Sequence, residues 1–343
     1  MTEGLDAVVF FDLHSVRYLC GFTGTDGVVV VSATGVEFLT DSRYVVQAEA
    51  EVLATRITRY NEKNSGIADC LKRVQAQRVG YEANAITCSS FAELENHVDV
   101  AWVGMSVELN AMRALKSPAE IAAIESATTL SAQAFAAVEP LLTPGQVERD
   151  IALELEIELR RLGADARAFE FIVASGERGA LPHGVASTKR LAAGELVTID
   201  FGCRFAGYHS DETVTVAIGD VSARLRAMYD TVLEAHDRAL QCVAPGVPLR
   251  EIDAVARDYI RVAGYGDYFG HGLGHGVGLK VHEAPVVSPR SESLAEVGMV
   301  FTIEPGIYIP GCGGVRIEDM VVVTDDGFRT LTRIPKKFRS LVA

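Results

Sequence analysis

The sequence predicts a mixed α/β (α+β) protein of two domains, a small α/β domain over residues 1–112 and a larger one over residues 113–343 that carries a pseudo-twofold internal repeat. Three observations lead there. A chain of 343 residues is long for a single core. Its first third alternates strand-like and helix-like pieces, and its remainder holds two related copies of a helix followed by an acidic hairpin.

In the first domain AVVFF, GVVVVSA and GVEFLT are rich in β-branched residues and bounded by Gly and Asp, which marks strands. DSRYVVQAEAEV and GIADCLKRVQAQ space their apolar residues as helices do. The local charges Asp41 and Arg43, with Tyr44, are expected to cap the first of these helices and pair locally. Gly21, Gly24 and Gly27 open no helix with a GxGxxG or Walker pattern, so this domain offers no nucleotide cradle. A boundary falls at residues 110–117. Beyond it Ser117, Pro118 and Glu120 form a capping box, and Ile121, Ile124, Ala127, Leu130 and Ala134 recur on one face of a long helix.

The repeat joins residues 144–163 to residues 245–264, both opening on Pro-Gly and ending on Gly. Each copy leads into a histidine-bearing segment, PHG at His183 or HGLGHG at His271 and His275, and then into a hairpin with two carboxylates. Such a duplication implies a pseudo-symmetric α/β half-barrel whose two hairpins meet at one site.

Asp200 and Glu304 each end an apolar, β-branched run, and Asp211 and Glu318 each sit beside another. Four carboxylates at the sheet interior would repel one another and lose solvation unless a multivalent cation offsets the cost. Strand alternation puts Thr198 with Asp200, Thr213 and Thr215 with Asp211, Thr302 with Glu304, and Arg316 with Glu318. The opposite faces are apolar: Val197, Ile199 and Phe201, Val214 and Val216, Phe301 and Ile303, Val315 and Ile317. A polar floor over an apolar underside follows, with the threonines and Arg316 placed to orient the carboxylates.

Hard oxygen ligands suit Mn²⁺, Mg²⁺ or Co²⁺, and added imidazole moves the preference toward Mn²⁺, Fe²⁺, Co²⁺ or Zn²⁺. Four negative charges exceed what one divalent ion balances. Two ions sharing carboxylates, roughly 3.5 Å apart, would balance them and activate water for hydrolysis. Of the eight histidines, His183, His271, His275 and His282 lie in Gly- and Pro-rich segments beside the hairpins. One is expected to be a ligand, and the others to donate hydrogen bonds or carry protons. His14, His97, His209 and His236 read as surface or satisfied core residues.

A formal net charge of −14 without a basic patch excludes nucleic acid and anionic membrane as partners. No apolar run is expected to reach the ~18 residues of a spanning helix, and the acidic start of the chain resembles no secretory signal, so a cytoplasmic location is expected. The six cysteines lack CxxC spacing and read as reduced core thiols. Ser175 sits in no GxSxG elbow and is not a candidate nucleophile.

The segments TIDFG, SDETVTVAIG, HGLGHGVGLKVHEAP, FTIEPGIY and VRIEDMVVV resemble the pita-bread metallopeptidases of the aminopeptidase P, prolidase and methionine aminopeptidase group. SVRYLCGFTGTDG and TDSRYVVQA resemble the creatinase-like amino-terminal domain of the Xaa-Pro branch. The resemblance implies Asp200 on one metal, Asp211 and Glu318 on both, and His275 and Glu304 on the other. It also implies His183 and His282 on the substrate, His271 lining a proline pocket, Glu304 taking a proton, Arg316 holding Glu318, and Tyr308 near the substrate. The implied cofactors are two divalent ions, with Mn²⁺ first and Co²⁺, Zn²⁺ or Fe²⁺ as alternatives. The implied substrates carry proline in second position, and a homodimer is expected. Two other classes stand beside this one: a non-catalytic binding module, and a metal-dependent lyase or amidohydrolase on the same scaffold.

Overall fold

The computed structural model describes residues 4–341, and the chain divides into two compact units, residues 1–112 and 113–343. In the first, six strands form one sheet in the order Arg56–Arg59, Gly35–Thr40, Val28–Ser32, Ala7–Phe10, Arg78–Glu82 and Ala101–Met105. Its inner strands are buried on both faces. Val28 and Val30 pack with Leu39, Ile67 and Leu71 on one side, while Val29 packs with Val16, Phe22 and Phe38 on the other. That is why their sequences read as continuous rather than alternating apolar runs. Asp41 does not cap the next helix. Its side chain accepts from the backbone N–H and the Nε of Arg43, both at 2.8 Å, and the helix Val45–Glu51 starts after Tyr44 with no side-chain cap. The short Asx-type turn uses up the carboxylate before the helix begins.

In the second unit the capping box forms as expected: Glu120 accepts from the Ser117 N–H at 2.9 Å and Ser117 Oγ from the Glu120 N–H at 3.4 Å. The helix it opens, Pro118–Val138, corrects one expectation, because the segment Pro118–Leu141 is long and apolar enough to cross a membrane. Its alanines raise hydropathy without large side chains. Ile124, Ala127, Ala134 and Phe135 are packed in the core, and Thr128 and Ser131 find partners in the Leu331 carbonyl at 2.9 Å and Ser210 Oγ at 2.8 Å.

The two hairpins have separate cores. Leu196–Phe201 runs antiparallel to Glu212–Ile218, with Asp200 opposite Thr213 and Thr198 opposite Thr215. Its underside, Val197, Ile199, Phe201, Val214 and Val216, packs on Phe135, Leu155 and Leu159 of the helices Pro118–Val138 and Glu148–Arg161. The second hairpin pairs Val300–Ile303 with Asp319–Thr324, breaks after Ile303, and resumes as Gly306–Ile309 against Gly313–Arg316. Pro305 lies in the break, where a residue without an N–H cannot continue the ladder. Phe301, Ile303, Val315 and Ile317 pack on Met228, Val232, Ile252 and Ala256 of the helices Ala223–Gln241 and Leu249–Val262. Each half is thus a hairpin backed by its own helix pair. All six cysteines are free, but only Cys20, Cys70 and Cys203 are buried; Cys88 is exposed and Cys242 and Cys312 are half-buried. Ordinary surface and helix-end positions hold these three, so the core-thiol expectation fails for them.

Candidate active site

The polar faces of the hairpins meet at a cavity of about 480 Å³ lined by all four hairpin carboxylates and by Arg316. Asp200 and Glu318 arrive from strand ends of different hairpins, yet with Asp211 they present oxygen atoms within 4.8 Å of one another. A second group, His275, Glu304 and Glu318, meets the same limit, and Glu318 joins the two. His275 Nε2 lies 3.3 Å from Glu304 Oε1 and 3.6 Å from Asp211 Oδ2.

The His275 ring is aimed by its backbone. Gly274 and Gly276 flank it because a Cβ at either position would fall 1.9 Å from the Thr302 carbonyl oxygen or 2.2 Å from that of Ala284. The small residues therefore admit neighbouring backbone. His275 Nδ1 lies 3.1 Å from the Gly276 carbonyl, which can only accept, so the proton sits on Nδ1 and Nε2 turns its lone pair toward the carboxylates.

Of the contacts that strand parity predicts, Thr302 with Glu304 forms as expected, whereas Thr213 and Arg316 bond across to the carboxylates of the other hairpin. Thr213 Oγ1 donates to Glu318 Oε2 at 2.6 Å, and Thr302 Oγ1 donates to Glu304 Oε1 at 3.1 Å. Arg316 donates to Asp200 Oδ2 at 2.5 Å, to Thr213 Oγ1 at 3.1 Å, to the Pro182 carbonyl at 2.9 Å and to the Tyr308 hydroxyl at 3.1 Å. Its charge therefore falls on Asp200, and it reaches Glu318 only through Thr213.

His183, His271 and His282 line the same cavity, whereas Tyr308 is absent from the lining. The Tyr308 hydroxyl stands 2.9 Å from His271 Nε2. His271 Nδ1 lies 2.8 Å from the Gly272 carbonyl and holds the ring proton, so Tyr308 donates to Nε2. The His282 ring stands edge-on to His275 with centroids 4.0 Å apart, and one of its nitrogens joins Asp211 and His275 in a third group within 4.8 Å.

Burial, and then the charges of Glu318, Asp200 and Glu304, raise the Asp211 pKa far above the carboxylate range. Burial, followed by Glu304 and Asp200, does the same to Glu318. Burial lifts Glu304 to about 7, with Arg316 opposing and Asp200 adding to the rise. Burial pulls His271 and His282 down to about 4 and lowers His275, so these imidazoles are neutral at pH 7. Two carboxylate oxygens, Asp200 Oδ1 and Glu318 Oε1, are buried without a hydrogen-bond partner. An anion left in that condition is costly, and a divalent cation among these donors removes the cost. The residues fit divalent metal.

Sequence reasoning missed the apolar wall of the cavity, Phe169, Ile172, Val185 and Val286, and the Pro182 carbonyl that holds Arg316. Ordinary apolar residues in separate segments carry no local signal. It also missed Glu212 and Asp319, buried acids directly after Asp211 and Glu318; the doubled acids in SDET and IEDM were the available sign.

Residues 122–325 match the metallopeptidase family M24, and residues 1–115 match the creatinase/prolidase N-terminal domain. A curated Xaa-Pro dipeptidase of Pyrococcus furiosus is 46% identical over 226 residues, 66% of this chain and 65% of that protein. Among solved structures, an Xaa-Pro dipeptidase from Bacillus anthracis superposes with a TM-score of 0.96 at 41% identity, covering 98% of this chain and 96% of that one. An X-Pro aminopeptidase from Thermotoga maritima gives 0.91 at 36% identity, covering 98% of each chain. The pita-bread architecture expected from the motifs is therefore the architecture of the second domain, and the chain belongs to metallopeptidase family M24.

Proposed function

We propose that this protein is a metal-dependent exopeptidase that hydrolyses the bond preceding proline, with Xaa-Pro dipeptides as its principal substrates and longer peptides with proline in second position as a second class. The observation that carries the reading is the carboxylate cluster with its two partnerless buried oxygens, set in a cavity of about 480 Å³ beside four histidines. That volume suits a small ligand. Xaa-Pro dipeptidases among the relatives support the same substrate class.

In this reading Asp200, Asp211, His275, Glu304 and Glu318 hold two divalent ions, with Mn²⁺ the first choice on ligand chemistry. When bound, such ions supply Lewis acidity toward the scissile carbonyl and make water more acidic. Glu304 accepts the proton of the attacking water on its carboxylate and later returns it to the departing proline nitrogen. His183 and the neutral His282 donate to the carbonyl oxygen as negative charge builds there. Proline offers no N–H for recognition, so His271, with its Nε2 held by Tyr308, and the apolar wall select by ring shape. A cytoplasmic homodimer belongs to the same reading, carried by the family resemblance; sedimentation of a monomer alone would remove the dimer.

The test is product analysis of the Mn²⁺-loaded protein given an Xaa-Pro dipeptide and an Xaa-Pro-Xaa tripeptide, beside a chelated control. Release of free proline that stops with chelation is expected. Cleavage of the tripeptide alone would make the protein an aminopeptidase, and failure on both with metal bound would refute the peptidase reading.

A further inference from the structure

Two buried carboxylates outside the cavity each hold a segment that carries one of the histidines. Glu148 is the first residue of the helix Glu148–Arg161 and is fully buried. It accepts five hydrogen bonds, all from the segment 175–187: the Ser175 N–H and Oγ at 2.8 Å each, the Ser187 N–H at 3.1 Å and Oγ at 2.6 Å, and Arg178 Nε at 3.0 Å. One carboxylate therefore ties both ends of that segment together. Between the ends stand Pro182, whose carbonyl receives Arg316, and His183.

The other half of the repeat has a counterpart. Asp253, buried in the helix Leu249–Val262, accepts from the Leu273 N–H at 3.1 Å and from Arg257 at 2.7 and 2.8 Å. Arg257 passes the restraint on, donating to the carbonyls of Phe269 at 3.1 Å and His271 at 2.7 Å. The segment 269–273, with His271 inside it, is thereby fixed from both sides. The two acids occupy non-equivalent positions in equivalent helices, so each half reaches the same result with its own residues. Neither carboxylate lines the cavity.

We propose that Glu148 and the Asp253–Arg257 pair are positioning residues that set His183 and His271 over the metal centre. Charge-assisted bonds to backbone N–H groups and serine hydroxyls fix a segment more tightly than neutral ones, and misplacing a binding group by about 1 Å costs on the order of 100-fold in rate. The proposal rests on the peptidase reading, in which these histidines meet substrate.

Glu148→Gln and Asp253→Asn keep the side-chain shapes and remove the charges. Both would be compared with the parent as metal-loaded full-length chains for bound metal, steady-state kinetics on an Xaa-Pro dipeptide, and amide hydrogen exchange of residues 175–187 and 269–273. Metal content is expected to stay at the parent's value while kcat/KM falls on the order of 100-fold, mainly through kcat for Glu148→Gln, whose histidine meets the developing charge, and mainly through KM for Asp253→Asn, whose histidine lines the proline pocket. Exchange should rise in 175–187 alone for Glu148→Gln and in 269–273 alone for Asp253→Asn. If Glu148→Gln does not fold, Ser187→Ala removes one of the five donors and should show the same local exchange with a smaller fall in kcat. Kinetics within twofold of the parent, with or without local loosening, would overturn the proposal, as would exchange that spreads through the second domain with loss of metal. A parent that cleaves no Xaa-Pro bond would refute the peptidase reading instead, and the exchange pattern would still decide whether these acids hold the segments.

Discussion

Two clusters of buried acid lie back to back on the same strands. Asp211 and Glu318 face the cavity, while their neighbours Glu212 and Asp319 face the opposite way. The lower pair is largely neutralised by protein. Lys336 Nζ lies 2.5 Å from Glu212 Oε1 and 3.5 Å from Asp319 Oδ1, the Ile334 N–H donates to Glu212 at 3.0 Å, Thr332 donates to Asp319, and His236 Nε2 stands 3.2 Å from Asp319 Oδ2. Although burial opposes it, Lys336 and His236 bring the Asp319 pKa below its usual value, and burial lifts Glu212 only to about 6. The upper cluster puts four carboxylates against Arg316 alone and leaves Asp200 Oδ1 and Glu318 Oε1 unpartnered, against Glu212 Oε2 in the lower pair. In our reading the same chemistry at the same depth is structural where the chain supplies the cations and a metal site where it withholds them.

The largest test of this contrast is Asp211→Ala or Glu318→Ala. Turnover should be lost and metal released, with circular dichroism unchanged and the metal-free protein no less stable than the parent, because a like-charge repulsion has gone. An active Asp211→Ala protein would overturn the site. Next, Lys336→Met strands two acids and should destabilise the fold by about 3–5 kcal/mol in denaturant unfolding; stability equal to the parent's would mean that the lower cluster needs no cation. Arg316→Met should leave folding intact and weaken metal binding about 10–100-fold, read by titration with a chelator.

The smallest effect is in pH. Raised folded-state pKa values mean that Asp211, Glu318 and Glu304, the last at about 7, stabilise the metal-free fold when protonated and cease to do so as pH rises through those values. His271 and His282, lowered to about 4, act oppositely but only up to the unfolded imidazole value near 6.5. Between pH 6.5 and 8 the metal-free protein should therefore lose stability relative to the metal-loaded one, by about 1 kcal/mol. Paired thermal scans measure the gap, and a gap that narrows with rising pH would contradict the assigned charges.

Much of the site was legible because it rests on period-two alternation and on neighbours in sequence. Thr302 beside Glu304 needs no knowledge of the fold, and the capping box at Ser117 is complete within four residues, whereas Thr213, which parity sets with Asp211, bonds Glu318 of the other hairpin. Asp41 shows the limit even locally, since a cap and an Asx turn use the same carboxylate and differ by the path of the next three residues. Cys88, Cys242 and Cys312 show it for burial, which a side chain's polarity does not determine.

By itself the sequence determined the alternating elements, the duplicated unit, the residues able to meet as metal ligands and the family, all of which depend on local pattern and motif. Only the tertiary structure decided that Glu148 ties Ser175 to Ser187, that Lys336 neutralises Glu212 across 124 residues, and that Phe169, Ile172, Val185 and Val286 share one wall. Such pairings form where distant segments are brought together by packing, and the identity of a partner is then set by geometry that no short stretch of chain contains.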